Sequence, residues 1–425
     1  MENFHDYSFF YKQNNMYCGS INLLNFTQNH KSPCYLYNHD AIKHYFNIIN
    51  NEIKINNKLI CYAIKACSNI NIIQKLSSLG CGADCVSGGE IFRSIKAGIS
   101  SDKIIFSGCG KMEYDIKYAI ENDILQINVE SSFELESINN IAKSLGKCQN
   151  ISIRIRPNTS TTTHKYISTG DKDSKFGINS NDINEDFLKH ILKFKNINLI
   201  GFSMHIGSQI FKINEYKNAY YVMKNILKLA QKNGINIKTI DFGGGFGVKY
   251  KNDDETFNFQ QYSSFIAEEF SEFIEQNIKI IFEPGRFLVA NSGILIAQIL
   301  SIKESENQKF IILNAGMNDL IRVSMYQAYH DILPIVKNDN ILEYNICGTI
   351  CESSDFFAKN RSIPMVKNGD FVAIMSSGAY GSSMSSEYNS RPLIAEYLIE
   401  NEKINKIRKE RTWQELVENE VNVNW

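Results

Sequence analysis

The sequence predicts an α/β protein in which a (β/α)8 barrel is followed by a β-rich domain. Three observations support this prediction. The chain has 425 residues, which is too many for one ordinary hydrophobic core. From residue 59 onward, short apolar segments alternate with amphipathic helical segments, as expected of parallel βα units. After residue 286 this alternation stops, and strand-like segments follow one another without long helices between them.

Eight strand candidates fall within about 230 residues, which is the size expected of a closed eight-stranded barrel. A doubly wound open sheet is the alternative, because periodicity alone does not show closure. The count of eight favours the barrel. The candidates are residues 59–64, 82–86, 104–107, 125–129, 151–155, 200–205, 239–242 and 278–282, with helical patterns such as 88–97 and 216–232 between them.

The segments on either side of the barrel lack the βα rhythm. Residues 34–37 predict a short strand, and Asp40 is a candidate N-cap for a helix that ends near residue 51. Further strands are predicted at 293–301, 310–313, 346–349 and 371–375. We therefore expect a barrel domain of residues 35–290, and a sandwich-like or barrel-like β domain formed by 1–34 together with 291–425. The Ser-, Thr-, Gly- and Asp-rich stretch 159–175 suggests a mobile loop.

The composition excludes several classes of protein. Lys and Arg number 45 and Asp and Glu number 46, so the net charge of -1 gives no reason to expect nucleic acid or an anionic membrane as a partner. The first fifteen residues lack the apolar region of a signal peptide, and no apolar run is long enough to cross a bilayer. Ten cysteines without a dense framework or metal-ligand spacing fit a reducing compartment and no metal site. We expect a cytoplasmic protein.

Lys65 lies where the first predicted barrel strand ends. A lysine at the end of a buried strand is commonly a solvated residue that only marks the boundary. The alternative is a lysine whose amine is made nucleophilic by partial burial and that holds pyridoxal 5'-phosphate (PLP) as a Schiff base. Chemistry in a barrel gathers at the carboxyl ends of the strands, so the other strand ends decide between the two interpretations.

Three more predicted strands end in residues that PLP requires. The sixth ends in His205-Ile-Gly-Ser208, the seventh in Gly243–Gly245, and the eighth in Glu283-Pro-Gly-Arg286. Each has a structural explanation, since a glycine run can be only a turn, His205 a core histidine, and Glu283 the ion-pair partner of Arg286. Functionally, the turn would cradle a phosphate, Glu283 would hold a protonated pyridine nitrogen, and His205 would pack against the ring. Taken together, the strand ends favour a PLP site.

These motifs resemble those of the fold-type III PLP-dependent decarboxylases, and within that family most closely the diaminopimelate decarboxylases. The resemblance covers essentially the whole chain in the right order, and such an ordered set is highly specific for the superfamily. Cys67 departs from the pattern, because asparagine is expected there. The matching segments are Tyr62-Ala-Ile-Lys65-Ala, Ser174-Lys-Phe-Gly177, His205-Ile-Gly-Ser208, Gly243-Gly-Gly245, Glu283-Pro-Gly-Arg286, Cys351-Glu352-Ser, Gly378-Ala-Tyr380, Tyr388-Asn-Ser-Arg-Pro392 and Ile407-Arg-x-x-Arg-Thr412.

The resemblance implies a carboxy-lyase that converts meso-2,6-diaminopimelate to L-lysine and CO2, the last step of lysine biosynthesis. It implies three sets of site residues. The catalytic residues would be Lys65, His205 and Cys351. The cofactor would be bound by Lys65, His205, Ser208, Gly243, Gly244, Gly245, Glu283, Pro284, Gly285, Arg286 and Tyr380. The substrate would be bound by Arg286, Arg322, Tyr326, Glu352 and Tyr380.

The far end of diaminopimelate carries a carboxylate and an amine, and arginine meets a carboxylate bidentately. Arg322 and Tyr326 have helical (i, i+4) spacing and would project from one side of a short segment. Without the resemblance, Arg322 would be interpreted as a surface charge and Glu352 as a solvated loop acid. An ornithine or lysine decarboxylase needs no partner for a distal carboxylate, so Arg322 and Tyr326 argue against those substrates.

Cys351 is the candidate proton donor, since a thiol is mostly protonated at neutral pH. The alternative interpretation is that Cys351 is a small, buried apolar residue. In the family, the residues matching Cys351 and Glu352 reach the site of the opposite subunit, which implies a homodimer with shared active sites. The alternative functions are a fold-type III decarboxylase acting on another amino acid or a carrier-bound one, a PLP racemase, and a non-enzymatic PLP-binding protein.

Overall fold

The computed structural model describes residues 7–158, 174–306, 308–421 and 423. The predicted mobile loop 159–175 lies almost wholly outside these residues. The chain forms two compact units. Unit 1 comprises Met1–His44, Lys249–Asp254 and Leu288–Trp425, and unit 2 comprises Tyr45–Val248 and Glu255–Phe287. Within the described ranges, no helix is both long and apolar enough to cross a membrane.

Unit 2 is a closed barrel of eight parallel strands, which confirms the predicted fold class. The circuit closes because Ile280 of the last strand is in register with Lys58 of the first, and each strand pairs with its neighbour in sequence. A two-residue strand, Ile178–Asn179, pairs with the outside of the fifth. In order, the barrel strands are Lys58–Ala63, Gly82–Cys85, Ile104–Phe106, Gln126–Val129, Gln149–Arg156, Ile197–Ser203, Thr239–Asp241 and Lys279–Phe282.

Several helices of the barrel begin at side-chain caps that the sequence supplies. Ser87 and Ser131 each accept a hydrogen bond from the backbone N–H three residues later, and Asn258 does the same for its own helix. Helix His39–Glu52 is capped by Asn38, which accepts from Ala41 N–H, so the predicted cap at Asp40 is wrong. The remaining helices are Ile70–Ser78, Gly88–Lys96, Glu113–Glu121, Ser132–Ser144, Glu185–Ile191, Asn214–Lys232, Phe259–Glu269, Ser271–Glu275 and Arg286–Val289, with 3-10 turns at Ile64–Ala66, Ser101–Lys103 and Ser180–Asp182.

Unit 1 is built on a nine-stranded mixed sheet around the 13-residue strand Gly293–Ser305. This strand pairs with Cys34–Asn38 on one side and is followed by the hairpin partner Gln308–Leu313. The other strands of the nine-stranded sheet are Ile332–Pro334, Ile341–Cys347, Phe356–Pro364, Phe371–Ile374, Ala395–Glu400 and Lys403–Arg408. A second, three-stranded sheet comprises Phe10–Lys12, Asn15–Cys18 and Ile21–Asn22, and the short helices are Leu23–Asn29, Arg322–Tyr326 and Trp413–Leu416, with 3-10 turns at Ala290–Ser292, Ser382–Met384 and Tyr388–Ser390.

The core of unit 1 explains why the N-terminal segment belongs to it. Phe9, Met16, Leu36 and Ile294 are all fully or almost fully buried in one apolar cluster. The predicted domain boundary at residue 35 would cut strand Cys34–Asn38, which pairs entirely within unit 1. The division of the chain into domains 35–290 and 1–34 with 291–425 therefore remains a prediction that differs from the compact units at this strand.

Candidate active site

Lys65 lies in the turn directly after the first barrel strand. Its side chain is 40% exposed, and its Nζ lies 3.9 Å from Oδ2 of Asp84, a buried residue of the second strand. The strand end is fixed in place because Ala63 N–H donates a 3.1 Å hydrogen bond to Pro284 O in the loop after the eighth strand. Asp84 was not predicted from the sequence. The signal that was missed is a lone acid inside a short apolar strand.

Three buried carboxyl groups face one another at this end of the barrel. Asp84, Asp241 and Glu283 are all less than a tenth exposed, and Asp241 and Glu283 are hydrogen-bonded to each other. A hydrogen bond between two carboxyl groups requires that one of them carries a proton, because an ionised carboxylate only accepts. Burial, followed by the charge of Asp84, raises the pKa of Asp241 to about 7. Burial and the same neighbours raise the pKa of Glu283 well above its usual range.

A chain of buried hydrogen bonds leads through the barrel interior to Asp241. Thr239 Oγ1 donates to Gln126 (2.8 Å), Gln126 Nε2 to Asn128 (2.8 Å), and Asn128 Nδ2 to Asp241 Oδ2 (3.4 Å). Gly243 N–H donates to the other oxygen of Asp241 at 2.9 Å. Both oxygens of Asp241 therefore accept N–H donors, which favours the ionised form of Asp241 and places the shared proton on its neighbour Glu283.

The glycine turn after the seventh strand packs against both neighbouring strand ends. A Cβ at Gly243, Gly244 or Gly245 would lie between 2.1 and 2.3 Å from a backbone oxygen of Met204, Glu283 or Gly207 respectively. Gly243 and Gly245 also have positive φ angles of 66° and 94°. No other residue type fits this turn without moving the backbone, so the glycines bring the sixth, seventh and eighth strand ends together.

The amides of this turn are only partly available to a phosphate. Gly243 N–H is used by Asp241 and Gly244 N–H donates to Nδ1 of His205 at 3.2 Å. Among the described residues no acceptor meets Gly245 N–H. Of the three glycine N–H groups predicted to bind a phosphate in this turn, that of Gly245 therefore remains available.

His205 is held as a neutral imidazole. Because its Nδ1 accepts from Gly244, the ring proton lies on Nε2. Desolvation first, and then the charges of Lys65 and Arg154, lower the pKa of His205 well below its usual value. The flat, uncharged ring is suited to packing against an aromatic cofactor, and that role of His205 stays a prediction.

Arg286 begins the short helix Arg286–Val289 directly after the eighth strand and is 9% exposed. Its Nε and Nη2 both lie 3.3 Å from Oγ of Ser208, which follows the sixth strand. A guanidinium and a hydroxyl thus stand together, a donor pair that suits a phosphate or carboxylate.

Arg154 and Glu130 form a second buried charged pair that the sequence analysis missed. Arg154 Nη1 lies 2.7 Å from Glu130 Oε1, and the guanidinium lies 4.7 Å from the ring centre of Phe176. Glu130 also accepts from Gly177 N–H at 2.7 Å. Although burial acts in the opposite direction, the charges of Arg154 and Lys111 lower the pKa of Glu130. The pair anchors the motif 174–177 to the barrel.

Unit 1 carries the other predicted residues, beginning with Arg322. It is only 6% exposed, so it is not the surface charge that its sequence context suggested. Its Nη1 lies 2.8 Å from Nε2 of His330, and its guanidinium lies 4.9 Å from the ring centre of Tyr250. Tyr326 stands at the other end of the same short helix and is half-buried. Sequence reasoning missed His330, although it lies eight residues after Arg322.

Cys351 and Glu352 lie in an exposed turn after strand Ile341–Cys347. Cys351 is therefore not the buried hydrophobe of the alternative interpretation. Asn389 accepts from Cys351 N–H at 2.9 Å, and Tyr388 donates its hydroxyl proton to Glu352. The motif that begins at Tyr388 thus braces the turn that carries Cys351 and Glu352.

Tyr380 follows a crowded turn of unit 1. A Cβ at Gly378 would lie 1.9 Å from Val289 O, and Tyr380 itself has a φ of 56°. A left-handed backbone is rare for a bulky residue and is found mostly where the surrounding structure enforces it, often at functional sites. The backbone therefore supports a functional role for Tyr380.

The residues of the barrel end fit PLP. Glu283 Oε1 and Asp84 Oδ1 are buried oxygens that no donor among the described residues meets, so the site retains acceptors for a cationic ring nitrogen and an amine. Lys65 supplies the amine, Gly245, Ser208 and Arg286 supply donors for a phosphate, and the glycine turn leaves space where side chains would intrude.

Comparison with known proteins agrees with this fit. Residues 39–290, more than half of the chain, match the family model described as "Pyridoxal-dependent decarboxylase, pyridoxal binding domain". A relative from Helicobacter pylori strain J99, named diaminopimelate decarboxylase, is 44% identical over 391 residues, covering 92% of this chain and 95% of the relative. A relative of the same name from Aquifex aeolicus is 39% identical over 410 residues, covering 96% of each chain.

Solved structures give the same result. The crystal structure of diaminopimelate decarboxylase from Helicobacter pylori complexed with L-lysine has a TM-score of 0.89 and 43% identity, covering 93% of this chain and 98% of that one. A closed barrel with a lysine and a buried carboxyl group at its strand ends, joined to a mixed β-sheet unit, defines a fold-type III PLP-dependent decarboxylase. Within that class, the chain belongs to the diaminopimelate decarboxylase family.

Proposed function

We propose that this protein catalyses the PLP-dependent decarboxylation of meso-2,6-diaminopimelate to L-lysine and CO2. The observation that carries the proposal is the position of Lys65, 3.9 Å from Asp84 and facing a buried carboxyl pair, in a chain 44% identical to a relative named diaminopimelate decarboxylase. The L-lysine in the Helicobacter pylori complex is the product that this reaction requires.

The barrel residues would hold the cofactor as follows. Lys65 would bind it covalently, Gly245, Ser208 and Arg286 would donate to its phosphate, and Glu283 would hold its ring nitrogen protonated. When bound, PLP withdraws electrons from the substrate carbon that loses CO2. Because the Asp241–Glu283 pair retains one proton at neutral pH, the ring nitrogen meets a group that can share a proton with it.

The chain's own groups would manage the substrate and its proton. The bond between the reacting carbon and its carboxylate breaks, CO2 leaves, and the carbon takes a proton in its place. Cys351 would give that proton from its thiol, since it lies in an exposed turn that Asn389 and Tyr388 hold in shape. The thiolate would then recover a proton from solvent.

Arg286, Arg322, Tyr326, Glu352 and Tyr380 would bind the substrate. Arginine suits the distal carboxylate because its guanidinium donates two parallel hydrogen bonds, and Glu352 suits the distal amine. Arg322 is buried and hydrogen-bonded to His330, whereas an arginine that only solvates the surface would be exposed. This burial supports the proposed role. These assignments rest on the family resemblance together with the local geometry of unit 1.

We further propose that the enzyme is a cytoplasmic homodimer in which Cys351 and Glu352 serve the partner's site. None of the ten cysteines forms a disulfide, which fits a reducing compartment. The exposure of Cys351 and Glu352 leaves them accessible to a second copy of the chain. Size-exclusion chromatography with light scattering tests the dimer. Restored activity on mixing inactive Lys65→Ala and Cys351→Ala chains would support shared sites, and no gain in activity would argue against them.

The function is tested by mixing the purified protein with PLP and following absorbance and CO2 release. We expect a band of lysine-bound PLP that Lys65→Ala abolishes and that the exposed control Lys117→Ala preserves. Addition of meso-diaminopimelate should release CO2 and L-lysine in equal amounts. A band without turnover would redirect the search to L-lysine, ornithine, arginine and carrier-bound amino acids. Absence of the band in the unmodified protein would refute the role of Lys65.

A further inference from the structure

The contact between Arg322 and His330 is unusual among the buried arginines because the partner is an imidazole. Arg322 Nη1 lies 2.8 Å from His330 Nε2, and His330 Nδ1 lies 2.8 Å from Met375 O. His330 is fully buried and Arg322 is 6% exposed. Each ring nitrogen thus contacts a protein group with one hydrogen-bonding role, because the guanidinium only donates and the carbonyl only accepts.

These two contacts determine the protonation state of His330. The Met375 carbonyl only accepts, so Nδ1 must carry the proton that it receives. The guanidinium only donates and is always charged, so Nε2 must be the unprotonated acceptor. His330 is therefore neutral, with its single ring proton on Nδ1. A protonated imidazole would set one N–H donor against another across 2.8 Å.

The surrounding residues fix the ring in this orientation. Tyr250 lies beneath the guanidinium at 4.9 Å and meets the His330 ring edge-on at 5.3 Å and 84°. Arg361 Nη1 donates to His330 O at 2.9 Å, which holds the backbone from the other side. The imidazole and the phenol ring together define one position for the Arg322 guanidinium.

Other arginines of unit 1 are held by carboxylates. Arg408 lies 2.8 Å from Glu396, and Arg411 lies 2.7 Å from Glu387. Such a contact fixes an arginine but also offsets its charge. The imidazole fixes Arg322 through a hydrogen bond that adds no negative charge beside it.

We propose that His330 is a positioning residue that holds Arg322 in place, without offsetting its charge, for the carboxylate at the far end of the substrate. This inference rests on the proposed function, because that function assigns the distal carboxylate to Arg322. It makes His330 a determinant of specificity for substrates that keep a carboxylate at that end.

Three substitutions separate position from charge. His330→Asn keeps a donor near Met375 O but is too short to reach Arg322. His330→Gln places a neutral amide oxygen where Nε2 stood. His330→Glu also reaches Arg322 but adds a negative charge. The asparagine variant tests whether the contact matters, and the glutamine and glutamate variants compare a neutral acceptor with a charged one.

The test measures equilibrium binding of two probes to the PLP-loaded enzyme, followed by the change in absorbance of the cofactor. L-Lysine keeps the distal carboxylate, whereas cadaverine is the same diamine without it. For L-lysine, we expect the Kd to rise about 10- to 100-fold in His330→Asn and His330→Glu but less than about threefold in His330→Gln. Cadaverine should bind all four proteins within about threefold of one another. KM for diaminopimelate should follow the L-lysine values while kcat changes little.

Several outcomes would overturn the proposal. An equal loss of L-lysine and cadaverine binding would indicate a merely structural residue. Unchanged L-lysine binding in His330→Asn would show that Arg322 needs no help in positioning. If His330→Glu behaved like His330→Gln, the claim about charge would be wrong, and this comparison remains informative if the asparagine variant does not fold. Failure of the wild type to release CO2 from diaminopimelate would refute the proposed function alone, because the ratio of the two probes does not depend on turnover.

Discussion

Two arginines are buried to the same degree in this protein but are held in opposite ways. Arg154 is 8% exposed, lies over the ring of Phe176 and contacts the carboxylate of Glu130. Arg322 is 6% exposed, lies over the ring of Tyr250 and contacts a neutral imidazole. The first contact offsets the charge of the arginine and the second does not. The difference agrees with a structural role for Arg154 and with the proposal that Arg322 binds an anionic ligand.

The carboxyl cluster at the barrel end also differs from the Arg154–Glu130 pair. Asp84, Asp241 and Glu283 are buried around one lysine, so negative charge exceeds positive charge there. A buried charge without a matching partner costs stability, and its retention suggests that a ligand completes it. In the proposed function the complement of the carboxyl cluster is the cationic ring nitrogen at Glu283.

Removing one partner of the offset pair should have the largest effect on stability. Arg154→Gln leaves the Glu130 carboxylate buried without its cation, and we expect the free energy of unfolding to fall by about 3–5 kcal/mol. Glu130→Gln should cost a similar amount. Urea unfolding, monitored by circular dichroism, measures both.

The exposed pair Lys117–Glu121 supplies the control, since Lys117→Gln should change the free energy of unfolding by less than about 1 kcal/mol. The double variant Arg154→Gln with Glu130→Gln should be more stable than the sum of the single losses predicts, because no charge is then left alone. Strict additivity of the two losses would show that the two residues do not act as a pair.

Arg322→Gln should produce the reverse pattern. The glutamine amide can still donate to His330, and no carboxylate at that contact is left without its cation, so we expect a loss of about 1 kcal/mol or less in unfolding free energy. Loss of the cation should weaken the binding of diaminopimelate by about 2–3 kcal/mol, which corresponds to a KM raised roughly 30- to 150-fold.

Steady-state CO2 release and urea unfolding measure the two quantities on the same preparations. Arg411→Gln is the matched control, because Arg411 also belongs to unit 1 but contacts the carboxylates of Glu387 and Glu418. A large loss of stability in Arg322→Gln with an unchanged KM would assign Arg322 to the structure and remove the contrast with Arg154.

The sequence predicted the barrel because its signal is local and repeated. Each of the eight strands was located to within three residues, since every strand is a short apolar run followed by a helix. The strand ends Lys65, His205 and Glu283 could be listed from topology alone. Strand Phe356–Pro364 was missed because it is half-exposed and carries charged residues, which weakens its pattern. Strand Ala395–Glu400 was missed although it is almost wholly buried, because two glutamates interrupt its apolar pattern.

The partners of the site residues could not be predicted from the sequence. Asp84 is an acid inside a four-residue strand, and Asn128 lies on the fourth strand while its acceptor Asp241 lies on the seventh. His330 contacts a residue eight positions earlier through a turn that bends at Gln327, which has a left-handed backbone. Such contacts depend on barrel closure and on turn geometry, and neither leaves a periodic trace in the chain.

The smallest effect should be the pH dependence that the carboxyl pair gives to the cofactor-free protein. The pKa of Asp241 is about 7 in the folded chain, above its ordinary value near 4, so the folded chain binds more protons than the unfolded chain between these values. The free energy of unfolding should therefore fall as pH rises through this window. The charge of Asp84 acts on the pKa of Asp241 in the same direction as burial, whereas the hydrogen bonds with Glu283, Gly243 and Asn128 act in the opposite direction. Asp241→Asn is permanently neutral, and between pH 5 and 7 its unfolding free energy should fall by about 1–2 kcal/mol less than that of the wild type. Urea unfolding across this range, with exposed Asp186→Asn as control, measures the difference, and parallel curves for wild type and Asp241→Asn would show that Asp241 takes up no extra proton on folding.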